Sequence, residues 1–372
     1  MTTDTVEAGQ IVLPGKDLDA TLTFFIDRLG FRLETIHPAD DPSVAVISGY
    51  GVRLELAREG DGAAGVLRLL CDDPSQVADG AAELTAPNGT RIELVEANPP
   101  LVVPATKSSF VLSRNDNEAP WHAGRAGMRY RDLIPDRLGG AFIASHIQVP
   151  DAGPVPDYVH FHKIRFQMIY IYKGWVRVLY EDQGPAFVMQ AGDCVLQPPF
   201  IRHRVLETSG GFEVIEIGHP AVHETFADHQ MELPKPAEDP KRDFSGQQWV
   251  CHYAAEATWA PFRIEGFESR DIGIGAATNG LASVRVARLS GKPSGKLVRH
   301  DAEFLFTFVL EGEMTLRRSE GDNERLGAGD AFVVPASMST AFADCTDDLE
   351  LLEVALPAGF ATKRELSAGA IV

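Results

Sequence analysis

This chain carries an internal duplication. Glu118-Ala119-x-Trp121 recurs as Glu256-Ala257-x-Trp259, Arg131-Asp132 as Arg270-Asp271, and His162 as His300. Gly174 recurs as Gly312, Gly192-Asp193 as Gly329-Asp330, Pro198 as Pro335, and Glu216 as Glu353, all at offsets between 137 and 139. Turn residues kept in register over so long a stretch imply two copies of one fold. Between them lie short alternating runs such as Phe142–Gln148, Gln167–Tyr172, Trp175–Tyr180 and Phe212–Ile217. Short strands separated by Gly, Pro and Asp, with almost no helical periodicity, point to a β-sandwich or β-barrel in each copy.

At 372 residues the chain exceeds one ordinary hydrophobic core, so two or three domains are expected. A formal net charge of −19 with no Lys/Arg cluster works against a polyanionic partner, which excludes nucleic acid. No basic stretch followed by an apolar run opens the chain, and no segment approaches the ~20 apolar residues of a membrane span. A soluble, cytoplasmic protein without a membrane partner is therefore expected. Cys71, Cys194, Cys251 and Cys345 lie far apart, without the paired spacing of thiolate metal sites or redox dithiols, and read as reduced, mostly buried thiols.

The chemistry lies in the first copy. His160-Phe161-His162 sits in a strand-like run, where alternation sends both imidazoles to one face. Four residues separate His162 from Gln167, six separate Gln167 from Gly174, and five separate Gly192 from Pro198. His203 is the fifth residue after Pro198. This pattern resembles the cupin superfamily, whose motifs are His-x-His-x4-Glu-x6-Gly and Gly-x5-Pro-x-Gly-x2-His. The resemblance covers about two thirds of the chain and implies tandem jelly-roll barrels. It also implies one divalent metal ion, held by His160, His162 and His203 with Gln167 beside them.

Two positions depart from the family pattern. Phe200 stands where Gly is usual and is expected to alter only the turn. Gln167 stands where Glu is usual, replacing an anionic ligand by a neutral one. Three neutral imidazoles leave a divalent ion its full charge, which favours an anionic, chelating substrate. The Gln167 carboxamide is expected to ligate weakly or to donate a hydrogen bond to a bound water or substrate. Tyr158, two residues before His160, is a candidate acid/base or substrate contact. Glu216 and Arg131-Asp132 recur in the second copy and are read first as packing or turn residues. His219, His223 and His229 fall outside the motif and are expected at the surface or an interface. In the second copy Val298, His300, Leu305 and Thr340 occupy the four ligand positions, and one imidazole cannot hold a catalytic ion. That copy is expected to be structural.

The N-terminal part reads differently. Gln10–Leu13 is a short apolar run, Asp17 a helix N-cap, and Leu18, Leu22, Phe25, Ile26 and Leu29 recur at helical spacing up to Gly30. Strand-like stretches follow at Phe31–Ile36, Val44–Ser48 and Val52–Ala57. With Asp17-Leu18-Asp19, Phe24-Phe25 and Leu29-Gly30-Phe31, this resembles the βαβββ module of the vicinal oxygen chelate, or glyoxalase-like, superfamily. A second module from Val66–Leu70 to Pro87–Glu96 is too short for its middle strands. The family's usual ligand positions hold Gln10 and Glu93, a weak pair without a complete partner module, so a structural or dimerising remnant is expected.

The expected fold class is mainly β: two tandem cupin β-barrels preceded by a shortened α+β vicinal-oxygen-chelate-like domain. The divisions are 1–100 for that domain, 101–117 a linker, 118–237 the metal-bearing unit and 238–372 the degenerate unit. Among two-unit cupins the pattern is similar to gentisate-type ring-cleaving dioxygenases, which use a three-histidine iron(II) site. The resemblance implies a dioxygenase acting on a small anionic or aromatic oxygenated substrate, with Fe(II) as the ion. Zn, Mn or Ni would instead support redox-neutral lyase or isomerase chemistry on the same ligands, and a non-catalytic small-molecule binder is the third alternative. The expected partners are a small-molecule substrate and a second copy in a homodimer.

Overall fold

The computed structural model describes residues 8–38, 40–116, 120–124, 127–235 and 239–364. The recurring Glu118 and Ala119 lie outside them. No helix among the described residues is long and apolar enough to cross a membrane. The chain forms two compact units, residues 1–100 and 101–372.

In the first unit, Ile11–Pro14 pairs in parallel with Val52–Ala57, the strand order continuing through Val44–Gly49 to Arg32–His37. A parallel neighbour requires a crossover connection, supplied by the helix Leu18–Thr23 and its π-helical continuation Phe24–Arg28. Asp17 caps that helix by accepting from Ala20 N at 3.2 Å. The second half of the unit has only three strands, with Val66–Cys71 parallel to Arg91–Glu96 and Glu83–Thr85 antiparallel to it. The side chain of Gln10 donates to Glu55 at 2.6 Å, and Glu93 is paired with Arg68 and Arg91. Each of the two is satisfied within its own sheet.

The second unit holds both copies of the duplication, each as two sheets. In the first, a seven-stranded sheet centred on Phe166–Lys173, Phe212–His219 and Ile143–Val149 faces a sheet built on Trp175–Tyr180, His203–Thr208 and His160–Lys163. The second copy repeats the arrangement with Phe304–Glu311, Glu350–Leu356 and Ser283–Leu289 against Glu313–Arg318, Thr340–Ala343 and Val298–His300. Alternation explains why the central strands are apolar on both faces. From Phe166–Lys173, the side chains of Phe166, Met168 and Tyr170 point to the other barrel, while Gln167, Ile169 and Ile171 point into their own. The two large sheets pack through Phe142 and Phe304, whose rings stack at 3.9 Å, with Ile215, Ile217, Phe306 and Val354 around them.

The barrels exchange their approach strands, which the sequence divisions did not show. Val111–Ser113, in the stretch read as a linker, pairs with Ala331–Val333 of the second barrel. Val250–His252, assigned by sequence to the second unit, pairs with Cys194–Leu196 of the first. Each arrival is fastened at the partner's Gly-Asp turn: Asn115 N donates to Asp330 Oδ1 and Ala254 N to Asp193 Oδ1, both at 2.8 Å. Arg131 donates to Gly329 O at 2.6 Å and Arg270 to Gly192 O at 2.8 Å. The recurring Arg131 is therefore a clasp between barrels, which agrees with the packing role expected of it. Covering both sheet edges also removes two sites of unwanted strand pairing.

Candidate metal centre and cavity

His160 and His203 face each other across the antiparallel strands His160–Lys163 and His203–Thr208, directly in register. His162, two residues on, projects to the same face. The three imidazoles offer ligand atoms that all lie within 4.8 Å of one another, and they are the only such group of His, Cys, Asp and Glu among the described residues. Their orientation is set from behind. His160 Nδ1–H donates to Tyr158 O at 2.9 Å and His203 Nδ1–H to Ile201 O at 3.1 Å. A carbonyl can only accept, so both rings carry their proton on Nδ1 and present Nε2 to an ion. His162 Nδ1 lies 2.8 Å from Thr225 Oγ1, on the exposed edge strand Glu224–Ala227. Such outer contacts fix ring orientation and ligand basicity. Thr225→Val is thus expected to weaken divalent-metal binding by about 10-fold or more, read by competition against a chelating dye, with Thr225→Ser restoring it.

The fourth motif position fits the same ion. Gln167 is 1% exposed, its Nε2 donates to Glu216 Oε1 at 2.5 Å, and its Oε1 is buried without a hydrogen-bond partner among the described residues. An orphaned amide oxygen beside three oriented imidazoles is what a divalent ion would satisfy.

The triad opens onto a cavity of about 310 Å³ inside the first barrel. Its depth is apolar, formed by residues such as Ile147, Ile171, Val178, Met189, Phe212 and Val214, while Gln167, Glu216, Arg137, Ser145 and His223 supply polar wall. Tyr180 and Gln197 also line it, with Gln197 Nε2 donating to the Tyr180 hydroxyl at 2.8 Å. Burial pushes the Tyr180 phenol well above its ordinary value, so it stays protonated as a donor.

Several expectations change here. Tyr158 is 43% exposed and is not part of the cavity wall, and its backbone carbonyl accepts from His160. The strand begins at His160, so the alternation argument does not reach back to 158. His219 is buried, stacked on Phe142 at 4.4 Å with Nδ1 donating to Ala141 O at 2.6 Å, and burial holds its pKa low. His223 lines the cavity, whereas His229 is exposed and packs near Tyr158. Glu216, read first as a packing residue, faces the cavity. Phe200 takes φ +65°, the left-handed conformation of the glycine it replaces, and its N–H still donates to His162 O at 3.0 Å. The turn survives the substitution.

The second barrel repeats this geometry without the ligands. Val298 and Thr340 pair in the same register as His160 and His203. His300 donates through Nε2 to Val334 O at 3.0 Å. The interior is filled by Met314, Leu316, Phe332, Phe342 and Leu351.

Comparison with known proteins agrees with this architecture. Residues 286–354 match the cupin domain family model. A mutant of Bacillus subtilis oxalate decarboxylase superposes with a TM-score of 0.51 at 16% identity, covering 72% of this chain and 82% of that one. Residues 101–372 have a bicupin fold. The formate complex of Lactobacillus farciminis oxalate decarboxylase superposes equally well, with a TM-score of 0.51, 16% identity, and 72% and 91% of the two chains covered. So does a mutant of salicylate 1,2-dioxygenase from Pseudoaminobacter salicylatoxidans, at 0.51 and 16%, covering 71% and 90%. No curated protein matches the chain. In this bicupin the family match falls on the barrel that has lost its ligands, while the histidine triad belongs to the other.

Proposed function

We propose that the first barrel is the active site of a metal-dependent dioxygenase acting on a small compound with an apolar, ring-sized body and a chelating, oxygen-bearing head. Solved relatives of this fold include both a dioxygenase and decarboxylases, so the fold leaves the choice to the site. The apolar cavity wall carries the reading. A small dianion such as oxalate would gain nothing from Ile147, Ile171, Val178 and Phe212, whereas an aromatic ring buries its faces there. His160, His162, His203 and the Gln167 oxygen would hold the ion, Fe(II) in this reading. The ion would supply a template on which substrate and dioxygen bind side by side.

The chain's own residues would do the rest. The barrel depth excludes water from the ring, and the protonated Tyr180 offers its hydroxyl to a substrate oxygen. Arg137, paired with Asp132 at 3.3 Å and 40% exposed, is the guanidinium in the wall able to meet a carboxylate. In the N-terminal unit, the βαβββ order supports kinship with the vicinal oxygen chelate fold in a structural role. The test is metal analysis of protein purified without added metal, joined to oxygen-uptake assays over ring diols, hydroxybenzoates and 2-oxo acids, with oxalate alongside. Bound iron and uptake dependent on a ring substrate are expected. Turnover without oxygen consumption would instead make the protein a redox-neutral lyase or isomerase, and tight binding without turnover a binding protein.

A further inference from the structure

We propose that Glu216 completes the metal site from one residue further out, orienting the Gln167 amide and supplying the negative charge that a ligating carboxylate would otherwise bring. The inference rests on the reading of the histidine triad as a metal centre. A carboxylate accepts, so the 2.5 Å contact to Glu216 Oε1 fixes the amide NH₂ on that side and turns Oε1 away from it. That oxygen is the buried atom left without a partner. Amide and carboxylate line the same cavity as the three imidazoles, and no ion pair among the described residues includes Glu216. Arg137, the guanidinium in the cavity wall, pairs with Asp132 and not with Glu216, and a half-buried carboxylate outside any ion pair is unfavourable unless a cation comes from outside the chain.

The second barrel supplies an internal control. Glu353 occupies the equivalent register, opposite Thr307 as Glu216 is opposite Ile169. There the Gln167 counterpart is Leu305, the ligand histidines are gone, and Glu353 is paired instead with the guanidinium of Arg263, whose Nε donates to Oε1 at 3.0 Å. Where the duplication kept this carboxylate and lost the metal ligands, a tethered cation faces it. In the first barrel the corresponding cation is the metal, with Glu216 as its anionic counterpart behind Gln167. Glu216 is thus a positioning residue.

The test uses the full chain and Zn²⁺ and Fe²⁺ as probes. Glu216→Gln keeps an oxygen to accept from Gln167 but removes the charge. Metal affinity, measured by titration against a chelator, is expected to fall about 10- to 100-fold. The metal-free protein is expected to unfold at the same or a higher denaturant concentration, because an uncompensated carboxylate has gone. A residue with only a packing role would move both quantities the same way. The exchange variant Gln167→Glu with Glu216→Gln restores the charge at the ligand position and is expected to bind at least as tightly as the parent. Unchanged affinity in Glu216→Gln, or an exchange variant as weak as that single change, would overturn the proposal. His160→Ala tests the metal site itself. If the parent binds no ion that this change removes, the metal reading fails and the inference with it. If it does and Glu216→Gln matches the parent, the inference alone fails.

Discussion

Replacing His160 or His203 by alanine is expected to abolish stoichiometric metal binding while both barrels stay folded. Each change leaves two imidazoles and a neutral amide, below the three strong protein ligands that a catalytic ion generally needs. The loss should be near total: one ion per chain in the parent, and less than about a tenth of that in the variants after purification. The fold should survive because the ligands are not what holds it. The core between the barrels, with Phe142 stacked on Phe304, and the apolar lining under the cavity are made by other residues. Removing His160 costs its hydrogen bond to Tyr158 O, about 0.5–1.5 kcal/mol, against a typical total stability of about 5–15 kcal/mol. Elemental analysis and circular dichroism on the same samples check both halves. A variant retaining a full equivalent of metal would sink the triad as the site. Collapse of the β-sheet signal would mean the metal is structural and would remove the catalytic reading. The second barrel should contribute no ion, because Val298, Leu305 and Thr340 replace three of the four ligand positions.

The parts of this molecule legible in the sequence were those carried by local spacing. The duplication was visible because turns such as Gly192-Asp193 and Gly329-Asp330 recur, and the triad because alternation and motif spacing together place His160, His162 and His203 on one face. What escaped depends on pairings between distant strands. Thr225 reaches His162 only because Glu224–Ala227 pairs with His160–Lys163, and a polar stretch after a long strand carries no sign of this. Val111–Ser113 looked like linker because its hydrogen-bonding partner, Ala331–Val333, lies in the other barrel. His219 was expected at the surface because the strand Phe212–His219 runs further than its apolar stretch. Glu216 is a subtler case. Its recurrence as Glu353 argued for a shared structural task, and the two residues do share a register, but their partners differ: Gln167 in one barrel, Arg263 in the other. Repetition in a duplicated chain preserves position before it preserves role.

Arg263→Ala is expected to destabilise the second barrel by about 3–5 kcal/mol, among the largest effects of any substitution outside the first barrel. Glu353 is 4% exposed and its carboxylate is held by two guanidinium contacts from Arg263, the Nε contact at 3.0 Å. Deleting the cation leaves a buried, unpaired charge, which costs far more than the pair itself contributes. Removing both partners should therefore recover most of the loss, and Arg263→Met with Glu353→Leu is expected to fall within about 1–2 kcal/mol of the parent. Urea unfolding of the parent, the two single variants and the double variant gives the cycle. A loss in Arg263→Ala below about 1 kcal/mol, the range of exposed ion pairs, would show that Glu353 does not need its cation. The same four proteins also bear on the first barrel through metal binding. Arg263 serves only the degenerate barrel, so metal affinity at His160, His162 and His203 should be unchanged across the set, even as the stability of the chain moves by several kcal/mol.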